Sequence, residues 1–446
     1  MPNALWMAGS RLIQAGADVD FQDANLRSPE PKGEKIGVSL LGAPYIPEVK
    51  RQFGTFKKQG VRLAVGGQVV NGFVQTNLNG RVDRSQFDRL FGKNTINGND
   101  DTEIAALAKI STKDMPSVSS LSLIPAYERI SDADMKKYLE REFSFFLSNG
   151  CLHACTFCAA VRTMKNPVTR KVFRVAEEYR HTQIIEKDLN YLVERAKKLG
   201  LSEINIYLSN LDVFQTPRKL EEFADLVIKT RRKNPGFEIH MRALSTTDSF
   251  MKAHETHPNA IEKIVEAGFH TVGFGVDGGT PKIWQSVRKG HNTANNCLNS
   301  IRIAREVYGM TPEVLMVFGH PKEDEESLQA AVTFTLDMVE RYQAIPRPHV
   351  AKTAVPGSEE WLMSEYQERV QFLLRHPEYF QALDFTALPS SLSHPNPELR
   401  RLVEKYYRRI CEIEGASTNF VYPSAPEFSN KQRVQRRKLN IGRYDH

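Results

Sequence analysis

The sequence predicts an α/β protein: a partial (βα)6 barrel of the TIM type, preceded by a doubly wound Rossmann-like domain and followed by a helical C-terminal region. Three observations predict it. From Phe143 onward, apolar runs of period two alternate with runs of helical period, each pair closed by a Gly or an Asn/Pro break. A shorter α/β segment of different spacing comes first, and after Pro356 the alternation fades into helix.

Phe143–Ser148, Ile204–Leu208, Phe237–Arg242, Thr271–Val276, Val314–Phe318 and Val350–Ala354 are the strands expected of the barrel. Between the first two, Ile185, Leu189, Leu192, Val193, Ala196 and Leu199 recur at helical spacing and stop at Gly200, which suits a helix C′ position. Leu220, Phe223, Val227 and Ile228 repeat the stripe, as do Leu328, Ala331, Val332, Thr335 and Val339, so each helix offers one apolar face to a parallel sheet. Six units are too few for an eightfold barrel, hence an open one. In the first segment, Trp6–Ile13 and Glu48–Lys58 read as helices, and Asp18–Phe21, Ile36–Leu41 and Val61–Val65 as strands. Because such domains usually open with a strand, a first strand is expected to be missing here. The expected boundaries are 1–115 for this domain, 116–140 for a polar linker, 141–357 for the barrel and 358–446 for the C-terminal region, where Leu399, Val403, Tyr406 and Ile410 form another stripe.

Composition narrows the class. The 446 residues are 41% hydrophobic and 25% charged, which excludes disorder and fibre. No apolar run reaches the roughly 18 residues of a membrane span, and the N-terminus lacks the pattern of a signal peptide, so a cytoplasmic location without membrane attachment is expected. The net charge of +7 is weak for this length. Its densest part is the end, where Lys431, Arg433, Arg436, Arg437, Lys438 and Arg443 occur without an acid. A solvated terminus is the first reading of that run and an RNA- or phosphate-binding arm the second.

Chemistry concentrates in Gly150-Cys151-Leu152-His153-Ala154-Cys155-Thr156-Phe157-Cys158, which follows the first barrel strand on the face where barrel enzymes carry their sites. An odd number of cysteines, with three of five inside eight residues, points to reduced thiols gathered on a metal rather than to disulfides. Three thiolates serve three irons of a cubane cluster and leave one iron open, whereas structural zinc needs a fourth ligand. Cys297 and Cys411 sit on helical stripes and read as core.

C-x-x-x-C-x-aromatic-C on the first βα loop of a six-unit barrel resembles the radical S-adenosylmethionine (radical SAM) superfamily, over about residues 141 to 357. Further matches follow in order. They are Asn210-Leu211-Asp212; Met241-Arg242; Gly273-Phe274-Gly275-Val276-Asp277, similar to G-x-E-S; Lys289-Gly290-His291-Asn292-Thr293, similar to K-G-x-T; Gly319 to Glu326, similar to G-x-P-G-E-T-x-E; and Val355-Pro356-Gly357-Ser358. The resemblance implies a 4Fe-4S cluster on Cys151, Cys155 and Cys158, with SAM near Phe157, Asn210, Asp212, Arg242, Asp277 and Gly319. It also implies reductive cleavage of SAM to a 5′-deoxyadenosyl radical, an electron donor such as flavodoxin or ferredoxin, and a small-molecule substrate. Asp212 and Asp277 are the expected partners of SAM's amine or ribose, and a turn-forming role for Asp277 before Gly278-Gly279 is equally open.

The N-terminal segment resembles a degenerate form of the cobalamin-binding domain attached to one subclass of that superfamily. It lacks the D-x-H-x-x-G motif, and residues 1–130 contain no histidine, so cobalamin there would have no histidine ligand from this domain; the alternative is a cap over the barrel mouth. The leading expectation is radical SAM chemistry at a C–H bond of a small molecule, by cobalamin-assisted methyl transfer or rearrangement. The alternatives are an RNA-modifying, methylthiotransferase-like enzyme, weakened by the absence of three further cysteines, and a non-catalytic Fe–S or zinc protein.

Overall fold

The computed structural model describes residues 3–23, 30, 33–40, 42–74, 83–160, 175–385, 388–390 and 396–417. The basic run 431–443 and Leu41 lie outside them. Two parallel sheets organise the chain. The small one contains β1 (Lys35–Ser39), β2 (Arg62–Gly66) and β3 (Ile96–Asn97) in that order. The barrel contains β4 (Phe143–Phe145), β7 (Glu203–Leu208), β8 (Glu238–Ser245), β9 (Phe269–Gly275), β10 (Thr311–Phe318) and β11 (Ile345–Val350), in the order β11-β10-β9-β8-β7-β4 and parallel throughout. Between β4 and β7, β5 (Ser148–Cys151) and β6 (Val175–Tyr179) form a separate antiparallel ribbon. No described helix is long and apolar enough to cross a membrane.

The helical stripes bury as expected: Ile185, Leu189, Leu192, Val193 and Ala196 face the sheet, and Gly200 takes a left-handed φ of +77° past the helix end. Three strand expectations need correction. The sixth barrel strand is Ile345–Val350, earlier than Val350–Ala354. Its Pro346 and Pro348 disguise it, but β11 is an edge strand paired with β10 alone, so alternate prolines can turn their donor-less nitrogens away from the ladder. The first barrel strand stops at Phe145, and Ser148 already belongs to the ribbon. Asp18–Phe21 is irregular chain: Phe21 lies over Gly9 of the helix Asn3–Gln14, where a Cβ would meet its ring at 2.1 Å, and Asp18 pairs with Arg129.

The hydrophobic cores cut across the boundaries read from sequence. Trp6, in the first helix, joins the barrel core and meets Tyr127 and Phe143 edge-on at 4.9 and 5.2 Å. Residues 116–140 are no solvated linker: they carry the helices Ile124–Glu128 and Asp132–Arg141 and bury Leu121, Leu123, Ala126, Tyr127 and Leu139. The C-terminal region divides. Trp361, Val370, Leu373, Phe380 and Leu383 complete the core of the small sheet, whereas Leu399, Val403 and Ile410 of the helix Pro397–Ser417 return to the barrel.

The two units meet where the helix Gln68–Val74 crosses the loop after β11. A methyl on Gly72 would lie 2.2 Å from the Gly357 nitrogen and 2.5 Å from the Pro356 carbonyl carbon. Gly72→Ala should therefore cost about 1–3 kcal/mol through overpacking. Gly54→Ala, in a helix with open space around it, should gain up to about 1 kcal/mol. Urea midpoints of the two variants test this seam, and equal midpoints would remove it.

Candidate functional site

The ribbon launches the cysteine loop. Gly150, at φ +115°, interrupts the β5–β6 register between Asn149 and Cys151, a bulge that turns the chain out of its strand. Cys151 and Cys155 are buried and Cys158 partly so. Burial pushes the Cys151 and Cys155 thiols up to about 12, so holding them as thiolates requires positive charge from a bound group. The loop is pinned by its backbone. Leu152 N donates to Gln215 Oε1 (2.8 Å), Thr156 N to the Val287 carbonyl (3.1 Å), and Glu359 N to the Thr156 carbonyl (3.0 Å). Among the described residues no three His, Cys, Asp or Glu side chains are grouped to hold one metal ion. Three thiols on one pinned loop suit a cluster, in which each thiolate takes a different iron.

On one side stands a carboxylate that the sequence did not suggest. Glu177, on β6, accepts from the Ser148 and Thr216 hydroxyls and from the Asn210 and Gln215 amides. Burial raises its pKa against these bonds. Glu177 thus orients Gln215, which holds the loop at Leu152. No sequence motif marks it, because its partners lie on β5 and on the loop after β7, about 30 to 40 residues away on either side. Asn210, expected as a SAM contact, is brought to this place at the end of β7. Its Nδ2 is used by Ser148 and Glu177, while its buried Oδ1 has no partner. Asp212 is fully buried, and its oxygens accept from Ser245 Oγ (2.8 Å), Thr246 Oγ1 (2.9 Å) and Ser249 Oγ (2.6 Å). It ties the β7 and β8 loops together, with His153 Nε2 3.9 Å away.

On the other side are the ends of β9 and β10. Asp277 adopts φ +51°, as a turn residue, and its Oδ2 lies 2.6 Å from Lys289 Nζ, which also donates to the Gly275 carbonyl. Burial pushes the Lys289 pKa down, but Asp277 together with the neighbouring cysteines outweighs it and the net shift is upward. The Asp277 carbonyl contacts His320 Nε2 at 2.9 Å, and the His320 ring lies 5.5 Å from that of Phe157. Burial drops His320 to about 4, so the ring is neutral. Gly319, at φ +92°, begins a turn whose Gly319 and His320 amides both donate to Glu323 Oε2. His153 and His291 stack with centroids 4.0 Å apart, and burial lowers His291 to about 3.

Phe157, Asn210, Asp212, Asp277 and Gly319 therefore gather around the cysteine loop; Arg242 does not. It points into the barrel beside Tyr207, pairs with Glu142 and lies 3.7 Å from Glu313, which in turn binds Arg347. Because β8 runs on to Ser245, Arg242 falls short of the carboxyl end. Lys289 and Glu323 were legible only as letters of motifs, and Arg288, which is bidentate to Glu359 at 2.6 and 2.8 Å, was not singled out by the sequence at all. Three of the buried polar atoms left without a partner, Asn210 Oδ1, His291 Nε2 and Glu323 Oε1, belong to the loops that follow β7, β9 and β10, the face that holds the thiols. Such atoms are costly to bury and ask for a ligand or water.

Residues 145–335 match the sequence profile of the Radical SAM superfamily. Over 244 residues, 53% of the chain, it is 25% identical to an uncharacterized methyltransferase, PH0819, of Pyrococcus horikoshii, and spans only 45% of that protein's length. Among solved structures it is similar to TsrM from Kitasatospora setae, a radical S-adenosylmethionine methyltransferase with cobalamin and a 4Fe-4S cluster bound. That match has a TM-score of 0.59 and 14% identity and covers 82% of this chain and 75% of that one. OxsB, a cobalamin-dependent S-adenosylmethionine radical enzyme, aligns with a TM-score of 0.51 and 11% identity over 91% of this chain and 62% of its own. At these identities the likeness is one of fold.

Burial raises Glu323 to about 8, so folding favours its protonated form. Its folded pKa lies above the unfolded value, so its contribution to stability is complete below about pH 4.5 and is lost as pH rises towards 8. Glu323→Gln should remove that decline: melting temperatures of wild type and variant should diverge between pH 5 and 8, with wild type falling relative to the variant. Parallel curves would contradict the assignment.

Proposed function

We propose, from the match of residues 145–335 to the Radical SAM superfamily, that the chain is a radical SAM enzyme of methyltransferase type acting on a small molecule. The observation that carries the reading is the convergence, on one face of the barrel, of three thiols and three unpartnered buried polar atoms. Cys151, Cys155 and Cys158 would hold the cluster, and Asn210, His291 and Glu323 offer polar contacts to SAM beside it. When bound, these cofactors supply one-electron chemistry able to act on an unactivated C–H bond. The chain's own residues position and enclose: Gln215 and the Val287 and Glu359 backbone fix the loop, and Phe157 with neutral His320 closes one wall against water. The electron would come from a small redox protein of the flavodoxin or ferredoxin type, in the cytoplasm.

Cobalamin is the proposed partner of the small sheet. Support comes from the fold shared with TsrM and OxsB and from Ser39 Oγ, a buried atom without a partner at the carboxyl end of β1. The glycines of that edge are already committed. A Cβ on Gly67 would meet the Leu40 carbonyl oxygen at 2.3 Å, and Gly66 lies against Gly98, so they serve backbone packing first. With no histidine in the first 130 residues, any corrin would be held by shape and backbone rather than by a histidine from this sheet.

Anaerobic reconstitution should load about four irons per chain, with a spectral change on adding SAM. Alanine at Cys151, Cys155 or Cys158 should abolish both loading and SAM cleavage, and Cys297→Ala should retain them. Wild-type cleavage by Cys155→Ala would end the proposal. Hydroxocobalamin followed by gel filtration should leave a stoichiometric corrin band; its loss would leave a cobalamin-free radical enzyme with the small sheet as a cap.

A further inference from the structure

Lys289 and Asp277 form an ion pair, and neither the lysine nor the pairing itself has a use in the reading so far. Both are buried, Lys289 at 4% exposure, and their charged atoms are 2.6 Å apart. Removing two charges from water is expensive, and such pairs are often replaceable by apolar residues without loss of stability. This one is also built into the wall of the cysteine loop. Val287 accepts from Thr156 N, the neighbour of Cys155, and Arg288 is anchored to Glu359, whose own amide grips the Thr156 carbonyl. Lys289 follows directly, and its ammonium is fixed by Asp277 and the Gly275 carbonyl, so it cannot swing to solvent. In so dry a setting a charge is weakly screened over several ångströms.

We propose that the Lys289–Asp277 pair sets the reduction potential of the cluster held by Cys151, Cys155 and Cys158, with Lys289 favouring the reduced state and Asp277 opposing it. The inference rests on the cluster assignment above. Reduction adds one electron, taken from a low-potential one-electron donor, to the oxidised cluster; no bond to the protein is made or broken, and one negative charge appears beside the pair. A fixed cation lowers the cost of that charge and a fixed carboxylate raises it. Lys289 and Asp277 are positioning residues: they act on the cluster through space.

The test uses the full chain, reconstituted anaerobically as wild type, Lys289→Met, Lys289→Arg and Asp277→Asn. Iron is counted and the EPR signal of the reduced cluster is followed in a dithionite-driven potential titration. Lys289→Met should shift the midpoint to lower potential, Asp277→Asn to higher potential, and Lys289→Arg should stay near wild type. A purely structural pair would not give shifts of opposite sign. Midpoints equal to wild type at full iron content, or shifts in the same direction, would overturn the inference. Should Lys289→Met fail to load iron, the upward shift of Asp277→Asn decides alone. Failure of the wild type to load iron would overturn the cluster assignment instead, and is read separately from the potentials.

Discussion

The main chain of Thr156 is held at both of its polar groups: its nitrogen donates to the carbonyl of Val287 and its oxygen accepts from the amide of Glu359. A short loop with three thiols has no regular structure to fix it, so its geometry is borrowed from whatever grips its backbone. Here the grips come from the loop after β9 and the loop after β11, with a third from Gln215 after β7. Each grip requires its strand to end at the right height, which makes the barrel's register a condition of the site. Main-chain bonds suit this task because they hold position without using the side chains that must meet cofactors.

The same economy recurs around the loop. Asp212 gathers three hydroxyls from the end of β8 and the turn after it, and Glu177 gathers two hydroxyls and two amides from β5 and the loop after β7. Buried carboxylates are stable only when surrounded by donors, so each one also fixes the loops that supply them. Against these satisfied groups stand Asn210 Oδ1, His291 Nε2 and Glu323 Oε1, left open on the same face. The contrast separates scaffold from site more clearly than residue type does, since Asn210 and Asp212 are two positions apart and fall on opposite sides of it.

Much of this was legible in the letters, because helical stripes and clean alternation are local. Ile204, Ile206 and Leu208 bury on one side of β7 as the pattern requires, and the cysteine spacing located the loop. What failed was set by partners elsewhere in the chain. β11 was misplaced because tolerance of Pro346 and Pro348 depends on being an edge strand, a property of the sheet and not of the segment. Arg242 was misread because the length of β8 is decided by pairing with β7 and β9. Glu177 left no trace in sequence, since its donors on β5 and on the loop after β7 stand at no recognisable spacing from it. Residues 116–140 looked like a linker because their polar letters outnumber the buried ones, yet Tyr127 packs edge-on against both Trp6 and Phe143.

The exchange of segments between the two cores bears on how the chain can be made. The first helix belongs to the barrel, and the small sheet's core is closed by Trp361, Phe380 and Leu383. On a ribosome the small sheet emerges early but waits, its apolar face uncovered, until almost the whole chain has been synthesised. Its folding is therefore obligatorily late and non-local, a slow topology exposed to off-pathway association. No single cut in the backbone would free it as an autonomous piece.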